Sequence, residues 1–149
     1  MTAVSSRRTV HDLLAAARAR YDRLEPAAAF DAVRAGALLI DTRDGDQRRR
    51  DGLIPGALAI DRTVLEWRVD PVSGAPHPAI SGLDVPLVLI CDQGYSSSLA
   101  VAGLLDLGAT AVTDVVGGFR AWRAAGLPVE PPGSALPLVA QRAEVAPMS

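Results

Sequence analysis

The sequence predicts an α/β protein: a central, mostly parallel sheet with helices on both faces. Three observations carry this reading. Short apolar runs recur at Ala37 to Ile40, Ala57 to Ile60, Leu87 to Ile90 and Ala111 to Val115, each bounded by turn-forming residues. Between them lie stretches with helical spacing, several of them stopped by a glycine. The two kinds alternate along the chain, and a helix between successive strands returns the chain to start the next strand in the same direction.

Taken in order, Thr9 can cap a first helix running to about Arg23, with Val10, Leu13, Leu14, Ala17 and Tyr21 on one face. It is expected on the outside of the domain, with His11 facing solvent in its first turn. Glu25-Pro26 opens a second helix, because proline fits the first helical position, and Gly36 closes it. Phe30 and Val33 are its core residues. The strand Ala37 to Ile40 then delivers Asp41, Thr42 and Arg43 to its carboxyl end, the edge at which open α/β sheets bind ligands. Two readings of Asp41 and Arg43 stand: an ion pair that fixes the loop, or a cation offered to an anionic substrate.

The basic run Arg48 to Arg50 is hemmed by Asp44, Asp46 and Asp51 and reads as a solvated loop. Ile54-Pro55-Gly56 turns the chain into the strand Ala57 to Ile60. Asp61 begins a short helix through Trp67, which Asp70-Pro71 ends. Arg62, Trp67 and Arg68 leave the same sheet edge, so they wall a pocket there or, for Trp67, cover the core. Pro71 to Val85 is rich in proline, glycine and serine and reads as loop. His77, between Pro76 and Pro78, is a poor place for a rigid catalytic base.

The chain is organised around VPLVLICDQGYSSSLAVAGLLDL, Val85 to Leu107. Leu87 to Ile90 reads as a buried strand that ends on the only cysteine, Cys91. Asp92 to Ser98 reads as a loop, and Leu99 to Leu107 as a buried helix. A loop of this kind turns backbone N–H groups inward, and the helix behind it adds the positive end of its dipole. That environment favours a thiolate. The alternative is a lone cysteine packed as a small hydrophobe. Beyond Gly108 come a further strand, the Gly117-Gly118 turn, and a last short helix whose Phe119 and Trp122 read as core.

Residues 1–24 therefore read as an N-terminal extension carrying a helix, 25–130 as the domain proper, and 131–149 as a flexible tail. Residues 1–8 read as loose. At 149 residues the chain is one domain's worth and can bury a proper core. A net charge of −2 without a strongly basic face argues against a nucleic-acid partner. All fifteen basic residues are arginine, which we read as a coding bias without functional message. No apolar run reaches membrane-spanning length and the N-terminus lacks a signal-peptide core, so no membrane is expected. One cysteine allows no intramolecular disulfide and fits a reducing cytoplasm. With one cysteine and two poorly placed histidines, no metal site is expected and no cofactor is required.

Three stretches together resemble the rhodanese sulfurtransferases. LVLICDQGYSS is similar to the active-site loop of that family, in which Cys-x-x-Gly-x-Arg-Ser/Thr follows an apolar strand. LLIDTRDGDQRRRDGLIPGALAI is similar to its Leu-Ile-Asp-x-Arg…Gly-His-Ile-Pro-Gly-Ala segment, and VVGGFRAWRAAGLPV to its Gly-Gly-x-x-x-Trp ending. The resemblance covers roughly Glu25 to Val129 and implies a three-layer rhodanese-like fold, with a central, mostly parallel sheet of about five strands and helices on both faces. It also implies double displacement: Cys91 takes a sulfur from a small anionic donor, and a thiol, cyanide or protein acceptor removes it. The loop residues Asp92, Gln93, Gly94, Tyr95, Ser96 and Ser97 would bind the donor, with Arg43 and Arg62 as outlying cations.

Two departures stand out. The family's loop arginine is Ser96 here, and the histidine before Ile-Pro-Gly-Ala is Leu53. A serine hydroxyl cannot replace a guanidinium's bidentate grip on an anion, and Asp92 adds a negative charge beside the nucleophile, so turnover of thiosulfate is expected to be weak. Related phosphatases and arsenate reductases need a thiolate and an arginine together, and no arginine occurs between Cys91 and Arg120. The competing reading is a non-catalytic rhodanese-like module that binds a partner or senses reactive sulfur.

Overall fold

The computed structural model describes residues 7–132. Its elements are α1 (Val10–Arg18), α2 (Pro26–Arg34), β1 (Leu38–Asp41), α3 (Gly45–Asp51), β2 (Leu58–Ala59), α4 (Leu65–Val69) after a 3₁₀ turn at Arg62–Val64, β3 (Leu87–Ile90), α5 (Ser96–Leu107), β4 (Val112–Asp114) and α6 (Gly118–Ala124). The strands form one sheet in the order β2-β1-β3-β4, and every pairing is parallel. The expected alternation of strand and helix is thus the architecture found.

Successive residues of each strand face opposite sides, and the burial follows that period of two. Ile40, Leu87 and Leu89 join Leu65, Val69, Ala100, Val101 and Leu104 in one core, beneath α4 and α5. Leu39, Val88 and Ile90 join Ala29, Phe119 and Trp122 in the other, beneath α2 and α6. Both faces of β3 are therefore covered, which is why it reads as an unbroken apolar run. Trp122 and Phe30 meet edge to face with centroids 5.8 Å apart, and the Trp122 indole donates to the Pro128 carbonyl at 2.9 Å.

Four regular strands occur among the described residues, and a fifth position is filled by a single bridge. Leu24 pairs in parallel with Val115, through Leu24 N–H to the Asp114 carbonyl at 3.1 Å and Val116 N–H to the Leu24 carbonyl at 2.9 Å. That bridge explains why α1 stops at Arg18 rather than near Arg23: the chain from Ala19 onward must run out along the edge of β4. Thr9 and Asp12 form the capping box at the start of α1, and Leu14 and Ala17 are its buried residues. The helix packs on α5, outside the sheet layers.

Two segments differ from expectation. Arg48 to Arg50 is not a loop: Asp44 and Gln47 make a capping box, and Gly45–Asp51 is helical. Its Arg48 is buried, donating to the Arg43 carbonyl and, at 3.4 Å, to Asp61. A charged run thus turns one cation inward while Arg49 and Arg50 pair with Asp46 and Asp51 outside. The second difference is that Ser96, Ser97 and Ser98 form the first turn of α5 rather than the end of a loop, so the loop after Cys91 is only Asp92 to Tyr95. Most of the C-terminal tail and the first six residues lie outside the described residues. No helix among those described is long and apolar enough to cross a membrane.

Candidate active site

Parallel strands put the carboxyl ends of β1, β3 and β4 on one edge, so Asp41, Cys91 and Asp114 leave the sheet together. Cys91 is 5% exposed and lines an open cavity of about 300 Å³ together with Thr42, Arg43, Gln47, Asp92, Gln93, Tyr95 and Ser96. Two groups touch the sulfur. The Gly94 N–H donates to it at 3.1 Å, and the Ser97 hydroxyl lies 3.2 Å away.

The loop's carbonyls are tied down on its outer side. Phe119 N–H, at the start of α6, donates to the Cys91 carbonyl at 2.8 Å, and Arg120 N–H to that of Asp92 at 3.1 Å. Arg18 and Arg23 both donate to the Gly94 carbonyl, at 2.8 and 2.9 Å. In a trans peptide the N–H opposes the C=O, so these bonds turn the N–H groups of Asp92, Gln93 and Tyr95 the other way. Of the loop amides, only that of Gly94 bonds the sulfur directly.

Two glycines make this packing feasible. Gly94 has φ +86°, and a Cβ there would stand 2.7 Å from the Gly117 backbone nitrogen. A Cβ on Gly118 would stand 2.6 Å from the Cys91 carbonyl oxygen and 2.7 Å from the Gly94 nitrogen. Gly94 and Gly118 therefore let the start of α6 come into backbone contact with the cysteine loop, a role for Gly118 beyond a tight turn.

Beneath the loop sits Asp114, fully buried. Its Oδ2 accepts from Ser97 and Ser98, each at 2.8 Å, and its Oδ1 from Tyr21 at 2.8 Å and Arg23 Nε at 2.9 Å. Burial pushes the Tyr21 phenol up to about 12, and its place beside Asp114 works in the same direction, so it serves as a donor throughout the physiological range. Burial works against the charge on Arg23, but the bonds to Asp114 outweigh it and raise its pKa. The charge on Asp114 is thus answered by one half-buried arginine.

The loop residues expected at the site are together around Cys91. Asp92 faces Arg120 at 2.9 Å, so its negative charge beside the nucleophile is paired. Gln93, Tyr95 and Ser96 are exposed on the cavity wall, and Ser97 is buried beneath it. Arg43 lines the cavity but is held as an ion pair: it grips both oxygens of Asp41, donates to the Gly52 carbonyl at 2.9 Å and lies 3.7 Å over the Phe119 ring. Its Nη1 is buried with no hydrogen-bond partner among the described residues. Arg62 is not part of this cavity; its guanidinium bonds Glu66 one turn further on, at 3.0 Å to each oxygen. Arg68 is buried on the Ala75 carbonyl, and Trp67 is 52% exposed over a separate hollow. Neither walls the site, because the 3₁₀ turn and α4 carry them away from the sheet edge.

Sequence reasoning missed Arg18, Arg23, Thr42, Gln47 and Asp114. Asp114 carried a signal, a carboxylate ending an apolar strand at the ligand-binding edge, as Asp41 does. The two arginines carried none, since they meet the loop across 76 and 71 residues of chain. Among the described residues no group of three or more His, Cys, Asp or Glu side chains could hold a metal ion.

A parallel α/β sheet covered on both faces, with a thiol held in a four-residue loop between strand and helix at the carboxyl edge, defines a class of cysteine-loop domains. Residues 25–125 match the model of the Rhodanese-like domain, and the chain belongs to that family. Over 104 residues it is 35% identical to thiosulfate sulfurtransferase GlpE of Pseudomonas savastanoi pv. phaseolicola, covering 70% of this chain and 89% of that one. GlpE of Stutzerimonas stutzeri is 32% identical over 69% of this chain and 85% of its own. Among solved structures, a Rhodopseudomonas palustris protein described as a possible tyrosine phosphatase superposes with a TM-score of 0.76 at 34% identity, covering 83% of this chain and 95% of that one. The polysulfide-sulfur transferase homodimer of Wolinella succinogenes gives 0.62 at 26% identity, over 78% and 82%.

Proposed function

We propose that the protein is a sulfurtransferase that moves a sulfane sulfur from a small anionic donor of the thiosulfate type to a nucleophilic acceptor, through a persulfide on Cys91. The observation that carries this is Cys91 lining an open cavity, its sulfur accepting the Gly94 N–H at 3.1 Å. With thiosulfate as donor, the Cys91 thiolate attacks the outer sulfur. A new S–S bond forms to Cys91, the old one breaks, and its electron pair leaves with sulfite. A thiol, cyanide or protein acceptor then attacks the outer sulfur of the persulfide, restoring the thiolate; no oxidant or reductant is consumed. The Gly94 N–H is placed to stabilise the anionic sulfur in both half-reactions; the Ser97 hydroxyl, which accepts from the thiol at 3.2 Å and donates to Asp114, can join it only by turning its proton from Asp114 to the thiolate.

The names of the GlpE relatives and of the polysulfide-sulfur transferase support sulfur transfer as the reaction class. Ser96 stands on the cavity wall where the family carries arginine, which favours slow turnover with thiosulfate. The single cysteine suits a reducing compartment such as the cytoplasm. A phosphatase reading, suggested by the description of the Rhodopseudomonas neighbour, lacks the loop arginine that would hold a tetrahedral oxyanion. The second reading is a non-catalytic module that binds a partner or senses reactive sulfur, and Ser96 is the observation that favours it.

Intact mass spectrometry after incubation with thiosulfate, glutathione persulfide and polysulfide, with thiocyanate release from cyanide followed over many turnovers, separates these readings. One added sulfur on the parent, absent from Cys91→Ala and removed by cyanide, is the expected result. An unmodified mass with every donor overturns the enzymatic reading.

A further inference from the structure

We propose that Arg18 and Arg23, from the segment that precedes the matched domain, are positioning residues of the Cys91 loop, holding its Gly94–Tyr95 peptide and supplying from behind the positive charge that position 96 lacks. The matched residues begin at 25, so neither arginine belongs to the domain that defines the family. Both nevertheless converge on one atom at the heart of the site, the Gly94 carbonyl oxygen, at 2.8 and 2.9 Å. The inference deepens the sulfurtransferase reading and rests on it for its functional meaning.

The electrostatic argument follows from what each guanidinium touches. Arg23 is balanced by Asp114, with Nε 2.9 Å from Oδ1. Arg18 spends both of its hydrogen bonds on neutral oxygens, the Gly94 carbonyl and the Ser98 hydroxyl at 3.0 Å, and its guanidinium lies 5.9 Å from the centre of the Tyr95 ring. Its charge is therefore not cancelled by a contacting carboxylate. Two cationic donors on one carbonyl polarise that peptide, and its N–H, on Tyr95, is directed away from them. The other charged groups that touch the loop or line its cavity are paired, Asp92 with Arg120, Asp41 with Arg43, and Asp114 with Arg23 and Tyr21, while Tyr95 stands exposed on the cavity wall and Asp92 Oδ1 is buried without a hydrogen bond among the described residues. Arg18 is the cation left over to favour an anionic sulfur.

The test measures the pH profile of Cys91 alkylation by iodoacetamide in the full chain, an assay that needs no sulfur donor. Arg18→Gln and Arg18→Ala each remove the charge, and alanine at a helix's last turn is a conservative choice for folding. Both are expected to raise the pH of half-maximal alkylation, because they remove a cation from behind the Gly94–Tyr95 peptide. Arg18→Lys should restore most of the shift, which a merely structural contact would not require. Thermal unfolding confirms that each variant is folded. A profile unchanged in the folded neutral variants, or unrestored by lysine, overturns the proposal even when the parent forms a persulfide. A profile shifted in the neutral variants, with a parent that no donor modifies, would leave this role standing and remove the sulfurtransferase reading instead.

Discussion

The Ser97 hydroxyl stands 3.2 Å from the Cys91 sulfur, and it donates to Asp114 at 2.8 Å. A hydroxyl has one proton to give, so a thiolate at position 91 must compete with Asp114 for it. Asp114 can yield it, because Ser98, Tyr21 and Arg23 still donate to the same carboxylate. Ser97→Ala should therefore slow persulfide formation by roughly tenfold, the worth of one hydrogen bond to a charged group, while costing only about 1 kcal/mol of stability. Single-turnover transfer rates set beside chemical denaturation check both halves. Loss of folding in proportion to loss of rate would mean that the hydroxyl serves Asp114 alone.

Gly94→Ala should be more damaging than its size suggests. The residue holds φ +86°, and the new methyl would meet the Gly117 backbone nitrogen at 2.7 Å, where no flexible side chain can give way. Strain and displacement together should cost on the order of 3 kcal/mol, a fall in the thermal midpoint of roughly 10 °C. Because the same residue supplies the N–H to Cys91, transfer should be lost at temperatures where the variant remains folded.

What the sequence disclosed follows the range of the interactions. Leu87–Ile90 was legible because a strand covered on both faces must be apolar throughout, and Cys91 because the residue after such a strand lies at the binding edge. The helix Gly45–Asp51 was not, since charged side chains have no apolar period; its sign was the Asp44 and Gln47 capping pair. The serines at the start of α5 read as loop until Asp114 was found to hold two of them. Arg18 and Arg23 could not be assigned at all, because nothing local marks a guanidinium that bonds a carbonyl more than seventy residues away.

His77 gives the fold an acid-side weakness. Burial, reinforced by Arg68, holds its pKa below the ordinary value of 6.5, and its Nδ1 accepts the Ala79 N–H at 3.0 Å. The unfolded chain would protonate this ring at the ordinary value, so below about pH 6.5 it binds more protons than the folded one and stability falls. The contribution is complete above pH 6.5 and is lost as the pH drops toward the folded-state value. Denaturation midpoints measured from pH 7.5 down to 5 should show this decline in the parent and a shallower one in His77→Gln. Equal slopes would place the acid sensitivity elsewhere.

Ser96 and Arg43 should respond to substitution in different ways. Ser96 is exposed on the cavity wall and buries nothing, so Ser96→Arg adds a cation at little structural cost and should lower KM for thiosulfate about tenfold, the value of one charge-assisted contact of about 1.4 kcal/mol. The sequence alone left two readings of Arg43, an ion-pair partner of Asp41 that fixes the loop or a cation offered to the donor, and only under the second would Arg43→Ala simply raise KM. Its guanidinium is instead committed to Asp41, Gly52 and the face of Phe119, and its removal leaves a buried carboxylate unpaired. Arg43→Ala should therefore cost about 3–5 kcal/mol of stability before any effect on donor binding can be read. Steady-state kinetics with thiosulfate, paired with urea denaturation, distinguish the two. A folded, stable Arg43→Ala with raised KM would return Arg43 to the binding site, and an unchanged KM in Ser96→Arg would mean that the anion is held away from position 96.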